Sequence, residues 1–503
     1  MTAELARVGG AVGALGLSVL LLGGGRTWRV GGLAAWAAGC ATLAVWLAPA
    51  GHHRAYAAAA VAGTVVAVGL AWAFVRMPWL LAVAVLACAP ARIPVSVGHT
   101  TANLLLPMYV VVVAAALALA WELFGDEVWT AAPGEPEPPS GRRRELRLGR
   151  SRELGRVALP LALFIGWTGL AFLWSQDRRQ GAIYLLFYIL PFGLLAVSLA
   201  RLPWRPGWVT ALYVQLAAMA VAFGLIGVWQ YSTRNIFWNP KVLVDNAYAT
   251  SSWFYRVNSV FYDPSIYGRF LVVAIVASLG LILFGGAADA WSGLAVAVIA
   301  WVGLVPSFSQ SSFVALGAGV VVALAALWRR RSVVPITLAV SVLLAVPLGV
   351  PQARDRILGK AGLSHATGGR SKLLRNGIKL GLHHPVIGVG TGGFRCAYAK
   401  LTHLRAGCKG QPKAAASHDT PITVAAETGL PGLALLVWLI VAALLVAFRA
   451  NPIRGPTGRA RLAFGLALVA IVVHSLFYDA LFEDPLFWGA LALSVVAARR
   501  AEA

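Results

Sequence analysis

The sequence predicts an all-α polytopic membrane protein with about 14–15 transmembrane helices and one large extracytoplasmic loop. Three observations predict it. First, 59% of the 503 residues are hydrophobic and only 12% charged, with a mean hydropathy of +0.75. A soluble chain of this length needs more charge to cover its surface. Second, apolar runs of about 17–25 residues recur along the chain, the length at which a helix rather than a barrel strand crosses a bilayer. Third, the basic residues sit in short loops between those runs, as cytoplasmic loops require.

Taken in order, spans are predicted near residues 8–24, 31–49, 56–75, 77–92 and 104–124. The first run has neither a basic segment ahead of it nor a clean small-residue cleavage site, and reads as a span rather than a leader. Residues 125–156 then run from a Pro/Glu stretch into GRRRELRLGRSRELGR, a cytoplasmic basic linker with an interfacial helix. Further spans are predicted near 157–175, 181–200, 208–229, 267–286, 291–308, 312–328, 333–350, 421–448, 461–478 and 485–498. The chain therefore divides into an N-terminal bundle (1–124), the linker (125–156), a central region (157–350) with an external loop at 230–266, an extracytoplasmic loop (351–420) and a C-terminal region (421–503).

With the linker in the cytoplasm, strict alternation also places 201–207, 329–332, 449–460 and the C-terminus there, and each carries arginine. The net charge of +23 is thus explained without a nucleic-acid partner; attraction to anionic lipid headgroups adds to it. Alternation leaves 230–266 and 351–420 outside. Cys40 and Cys88 fall in apolar runs and read as buried hydrophobes. Cys396 and Cys408 share the second external stretch, where a disulfide is possible, and their spacing does not suit zinc.

Candidate chemistry lies in those external stretches. The first ends in YRVNSVFYDPSIYGRFLVVA. Arg269 there either snorkels or pairs with Asp263, or joins Arg256 in binding an anionic headgroup. The second contains a basic amphipathic segment, Gly369 to Leu382, with Leu373, Leu374, Ile378 and Leu382 on one side and Arg370, Lys372, Arg375 and Lys379 on the other. That basic edge is either a solvated face or an anion site, with pyrophosphate the obvious anion. GVGTGG, Gly388 to Gly393, lacks the lysine of a phosphate loop and any strand–helix context. Its glycines suit a tight turn or a close backbone approach to a ligand.

His418 stands just before a span, where it either caps or lines the interface, or takes a proton from a hydroxyl as a base of near-neutral pKa. Glu427 lies nine residues further on and is expected to hold structure by hydrogen bonding. Asp479, Glu483 and Asp484 mark another external turn, either accepting from sugar hydroxyls or keeping the turn solvated. No Asp/Glu metal cluster is evident in the external loops, so neither metal nor cofactor is expected.

HPVIGVGTGGF followed by HDTPITVAAETGLPG resembles the paired motifs of the O-antigen ligase and O-antigen polymerase superfamily. His384, Pro385, Gly388, Gly390, Gly392 and Phe394 match the first motif, and His418, Ile422, Glu427, Gly429 and Gly432 the second. RVNSVFYDPSIYGRFL and SFSQSSFVALGAG also fit the family layout, and the resemblance spans about residues 250–480. It implies a GT-C-like, inverting, metal-independent glycosyltransferase of the cytoplasmic (inner) membrane, with its active site facing the periplasm. The donor would be a glycan on undecaprenyl pyrophosphate, and the acceptor lipid A–core or another lipid-linked repeat. Carried over, His418 would activate the acceptor hydroxyl and Arg370 would stabilise the leaving pyrophosphate. Arg256, Arg269, Arg375, His384 and Glu427 complete the implied substrate-binding set. Two departures stand out: Ser309–Gln310 replaces a family serine–arginine, and Asp419 replaces the asparagine after the motif histidine. The span count and the missing motif arginine tilt the expectation toward a polymerase, with a ligase close behind. The alternative is a transporter or flippase for lipid-linked saccharides, although no internal repeat supports it.

Overall fold

The computed structural model describes residues 2–48, 53–97, 100–124, 154–237, 239–247, 255–328, 370–403, 417–448 and 455–502, with Cys408 and Ile453 between them. The helices, in chain order, begin with α1 (Ala3–Leu22), α2 (Arg26–Leu47), α3 (His53–Arg76) and α4 (Leu80–Cys88). An antiparallel hairpin follows, β1 (Ile93–Val97) and β2 (Thr100–Leu104), in the register Ile93↔Leu104 and Val97↔Thr100. Next come α5 (Leu106–Phe124), α6 (Ala158–Ala171), α7 (Arg178–Ala200), α8 (Pro206–Thr233) and α9 (Pro240–Ala247). The rest are α10 (Pro264–Phe284), α11 (Ala287–Leu304), α12 (Gln310–Trp328), α13 (Arg370–His383), α14 (Phe394–Leu401), α15 (Thr420–Phe448), α16 (Gly455–Ser475) and α17 (Pro485–Glu502).

The chain is an all-α polytopic membrane protein: eleven described helices are long and apolar enough to span. Each corresponds to a span read from the sequence. The predicted span 333–350 and most of the linker lie outside the described residues. The 77–92 run departs from expectation. Pro78 and Pro90 bracket it, and because proline cannot donate within a helix only the nine-residue α4 forms. At ~1.5 Å per residue α4 is far shorter than a bilayer core. The small hairpin after it is the one β element among the described residues.

Long-range contacts sort the helix ends onto two faces. On one face Arg7 donates to the Ser175 carbonyl (3.3 Å) and Arg178 pairs with Glu4 (3.4 Å). On the other, Arg26 donates to the Phe124 carbonyl (3.1 Å), Arg201 pairs with Glu122, Trp204 bonds Thr457 and Arg459 pairs with Asp289. The second face gathers the arginine-bearing loops 201–207 and 449–460, as the alternation count requires. One apolar core joins residues from Ala14 to Val495 between the faces. A smaller cluster of Leu380, Val389, Phe394, Ala397, Tyr398 and Ala426 sits apart from it.

Candidate functional site

The two glycine-rich motifs fold against each other on the first face. Helix α15 breaks at Gly429, whose φ of 72° is followed by Pro431. The break frees backbone groups that the 385–394 loop takes up. Val389 N–H donates to the Ala426 carbonyl (2.9 Å), Gly390 N–H to the Glu427 carbonyl (2.8 Å) and Leu430 N–H to the Pro385 carbonyl (2.7 Å). The Glu427 carboxylate accepts from Gly392 N–H (2.8 Å) and Phe394 N–H (3.2 Å). Thus Glu427, included in the substrate-binding set, orders this loop with both oxygens. The glycines answer a packing demand internal to the protein. Gly388, Gly390 and Gly392 all have positive φ, and a Cβ there would meet the backbone of Glu427, Ser175 and Gly181 at 2.3 Å. The close approach expected toward a ligand is made to the chain itself.

Helix α13 lies over this loop. Gly377 and Leu380 face inward, Gly377 against Ile422 and Ser417. The stripe packed on the protein is thus Gly377 and Leu380, and of the apolar side read from the sequence only Leu373 is half-buried. Leu374, Ile378, Leu382, Val386 and Ile387 are instead exposed. With basic residues beside it, this apolar face suits a helix lying in a membrane interface. Arg370 opens the helix, and Arg375, Lys379 and His384 are exposed on it or just beyond it. Cys396 and Cys408 are joined in a disulfide, which ties α14 to the segment leading to His418.

His418 is half-buried with φ of 63°, a sparsely populated conformation for a non-glycine residue. The turn is held on both sides. Ser417 Oγ bonds the Asp419 carbonyl (2.6 Å) and accepts from Asp419 N–H (3.0 Å). Asp419 Oδ1 accepts from Ile422 N–H (2.9 Å) and so caps α15. The cap is thus Asp419 rather than the histidine.

The turn 479–484 is the hub of the site, and it is not a solvated loop. Thr420 and Thr423, in the first turn of α15, donate to the two Asp479 oxygens at 2.9 and 2.6 Å. Glu483 pairs with the buried Arg92 of the N-terminal third at 3.1 Å. Asp484 caps α17 through Leu486 N–H (3.0 Å) and pairs with Arg269 at 2.8 Å. Arg269 therefore neither snorkels nor pairs with Asp263, which instead caps α10 through Ser265 N–H (2.7 Å). Arg269 is 1% exposed, and neither of its Nη atoms has a hydrogen-bond partner among the described residues. Arg256 is half-buried and donates to the Ser307 carbonyl (3.1 Å). Arg269→Ala would leave Asp484 buried without its counter-ion, an expected loss of about 3–5 kcal/mol. Arg269→Met with Asp484→Asn should recover part of it in thermal unfolding. Equal losses in the single and double variants would overturn the pairing.

Burial pushes the Asp479 carboxyl above its ordinary range, against the two threonine hydrogen bonds that lower it. Burial also raises Glu483, opposed by Arg92. A raised folded-state pKa means the folded protein keeps protons that the unfolded chain has released. Stability is therefore fully present below the ordinary carboxylate range and declines as pH rises through the raised values. The unfolding midpoint should fall across that window in the wild type, and fall less in Asp479→Asn. Parallel profiles would show that Asp479 does not carry the effect.

A polar cavity of about 130 Å³ opens beside this hub. Its walls include Thr168, Gln180, Tyr184, Thr423, Asp479 and Glu483. Tyr184 immediately precedes a π-helical turn, Leu185–Ile189, of the kind that recurs where a helix reshapes to serve a site. Thr168, Gln180, Tyr184 and Arg92 were not legible in the sequence, since their cavity and ion-pair partners are distant along the chain. Among the described residues, no three His, Cys, Asp or Glu side chains gather as a metal site.

Residues 295–437 match a protein family described as O-Antigen ligase. The matched region contains both glycine-rich motifs, His418 and Glu427, and leaves Arg256, Arg269 and the 479–484 turn outside it. No curated protein matches the chain.

Proposed function

We propose that this chain, whose residues 295–437 match the O-Antigen ligase family, transfers a glycan from undecaprenyl pyrophosphate to an acceptor hydroxyl. The observation that carries the reading is His418, half-buried in a braced left-handed turn that leads into α15, whose Thr423 lines a polar cavity, with Gly377 of the basic helix α13 packed against the neighbouring Ser417. Such bracing holds a base in one orientation, which a proton transfer needs.

In this mechanism His418 takes the proton of the acceptor hydroxyl as its oxygen attacks the anomeric carbon. The bond from that carbon to the pyrophosphate oxygen breaks, and the configuration inverts. Arg370 and Arg375 receive the negative charge that develops on the leaving group. Arg256 and the buried Arg269 extend the positive potential on the same face. Glu427 acts by ordering the loop under the donor, and His384 borders it at the surface. Arginines in these roles make the reaction independent of an added metal.

The disulfide supports an outward-facing site in the cytoplasmic membrane, because such bonds persist in oxidising compartments. The arginine-bearing loops on the opposite face then lie in the cytoplasm, as the charge bias of membrane proteins requires.

The test is purified protein in nanodiscs with undecaprenyl-pyrophosphate-linked repeat units, run without added metal. A ladder of longer lipid-linked glycans identifies a polymerase. Transfer only after lipid A–core is supplied identifies a ligase. Movement of donor across the bilayer with no new glycosidic bond would overturn the transferase reading in favour of a flippase.

A further inference from the structure

The cavity beside the 479–484 turn has a chemistry that the basic helix α13 does not share. Three carboxylates, Glu427, Asp479 and Glu483, reach its wall. The cation bonded to one of them, Arg92, is buried behind Glu483 rather than being one of the wall residues. Gln180, Thr423 and Tyr184 add neutral donors and acceptors, while Phe164 and Phe482, stacked at 4.7 Å between ring centroids, form an apolar floor. Thr168 also lines the space. Thr168 is 2% exposed, and its Oγ1 has no hydrogen-bond partner among the described residues. A buried hydroxyl with no protein partner costs free energy unless a ligand or water bonds it. At about 130 Å³ the space exceeds by an order of magnitude the ~10–15 Å³ that one water requires.

We propose that this cavity seats the reacting sugar of the acceptor, and that its acidic wall selects a neutral or amino sugar over an acidic one. The inference rests on the glycosyltransferase reading and adds the acceptor's chemical class to it. Carboxylates accept hydrogen bonds from sugar hydroxyls and from an ammonium, and they repel a carboxylate or phosphate. The donor pyrophosphate therefore belongs with Arg370 and Arg375 on α13, and the uncharged partner belongs here. Position agrees with the division of roles. Thr423 lines the cavity and shares Asp479 with Thr420, two residues after His418. Thr423, on the cavity wall, follows the proposed base His418 by five residues.

The experiment measures binding apart from turnover. Saturation-transfer NMR would be recorded on the full-length protein in nanodiscs with neutral methyl glycosides, methyl glucosaminide and methyl glucuronide. Transfer to neutral or amino glycosides is expected, with at least ~5-fold less to the glucuronide. Thr168→Val, which keeps shape and removes the unpartnered hydroxyl, and Gln180→Ala should each weaken the signal several-fold at an unchanged gel-filtration profile. In the ladder assay the same variants should raise the acceptor KM and leave the donor KM unchanged.

A glucuronide preferred over the neutral sugars would overturn the proposal. So would neutral binding indifferent to both variants, or no binding by any glycoside. The two readings fail separately. Binding without a ladder would sink the mechanism and keep the subsite, whereas a ladder without variant-sensitive binding would sink the subsite alone.

Discussion

His418→Ala is expected to lower the rate of glycan transfer by about 10²–10⁴-fold, the usual contribution of a positioned general base. Donor KM should change little, because the pyrophosphate is assigned to arginines on a different helix. The expectation rests on local geometry. Ser417 and Asp419 hold the histidine in its turn, and Asp479 holds the first turn of α15 just beyond it. These braces are made by Ser417, Asp419 and Asp479, and Ala keeps all of them in place. Unfolding midpoints of wild type and variant should therefore agree within a few degrees, and single-turnover rates should not. A variant that retains full single-turnover rate would remove His418 from the chemistry.

Gly390→Ala is expected to be strongly destabilising for a single-methyl change. A Cβ there would lie 2.3 Å from the Ser175 Cα and 2.5 Å from its N, both backbone atoms that cannot rotate away. The φ of 87° adds strain for any residue with a side chain. Together overpacking and strain should cost about 2–6 kcal/mol. Gly489→Ala is the matched control, since nothing lies within 4 Å of its added carbon. The two variants should separate in thermal unfolding, with the control close to wild type. If Gly390→Ala unfolds with the control, then the loop is not wedged between α15 and the 174–181 turn.

Much of the chain could be read from local pattern. The eleven described spans coincide with predicted runs because span length and hydropathy are local properties, fixed by bilayer thickness. The arginine loops fell on one face because charge asymmetry is also local. Both family motifs were visible as residue strings, and Glu427 was expected to hold structure by hydrogen bonding. What the string could not reveal was its partner. Glu427 binds Gly392 and Phe394, 35 and 33 residues away.

The N-terminal third shows the same limit. Arg92 sits at the end of a short, proline-bounded run, and nothing near it indicates that it pairs with Glu483, 391 residues away. Arg269 read as an anion ligand somewhat better than as snorkelling or as a partner of Asp263, until the fold brought Asp484 to it. For α13 the sequence pattern offered one apolar side, Leu373, Leu374, Ile378 and Leu382, and one basic side. Packing instead chose the stripe with Gly377, because only a glycine lets that helix approach Ile422.

The sequence by itself determined that this protein is a multi-spanning helical bundle, which of its loops are basic and where its two motifs lie. These follow from composition, run length and spacing, each a property of neighbours along the chain. Only the tertiary structure decided that the glycine loop is wedged into a broken helix, and that one turn, 479–484, ties His418's helix to Arg92 and Arg269. The tertiary structure likewise decided that an acidic cavity stands apart from the basic helix. Those outcomes depend on which buried charges and backbone groups meet across hundreds of residues, where leaving a buried charge unpaired is costly.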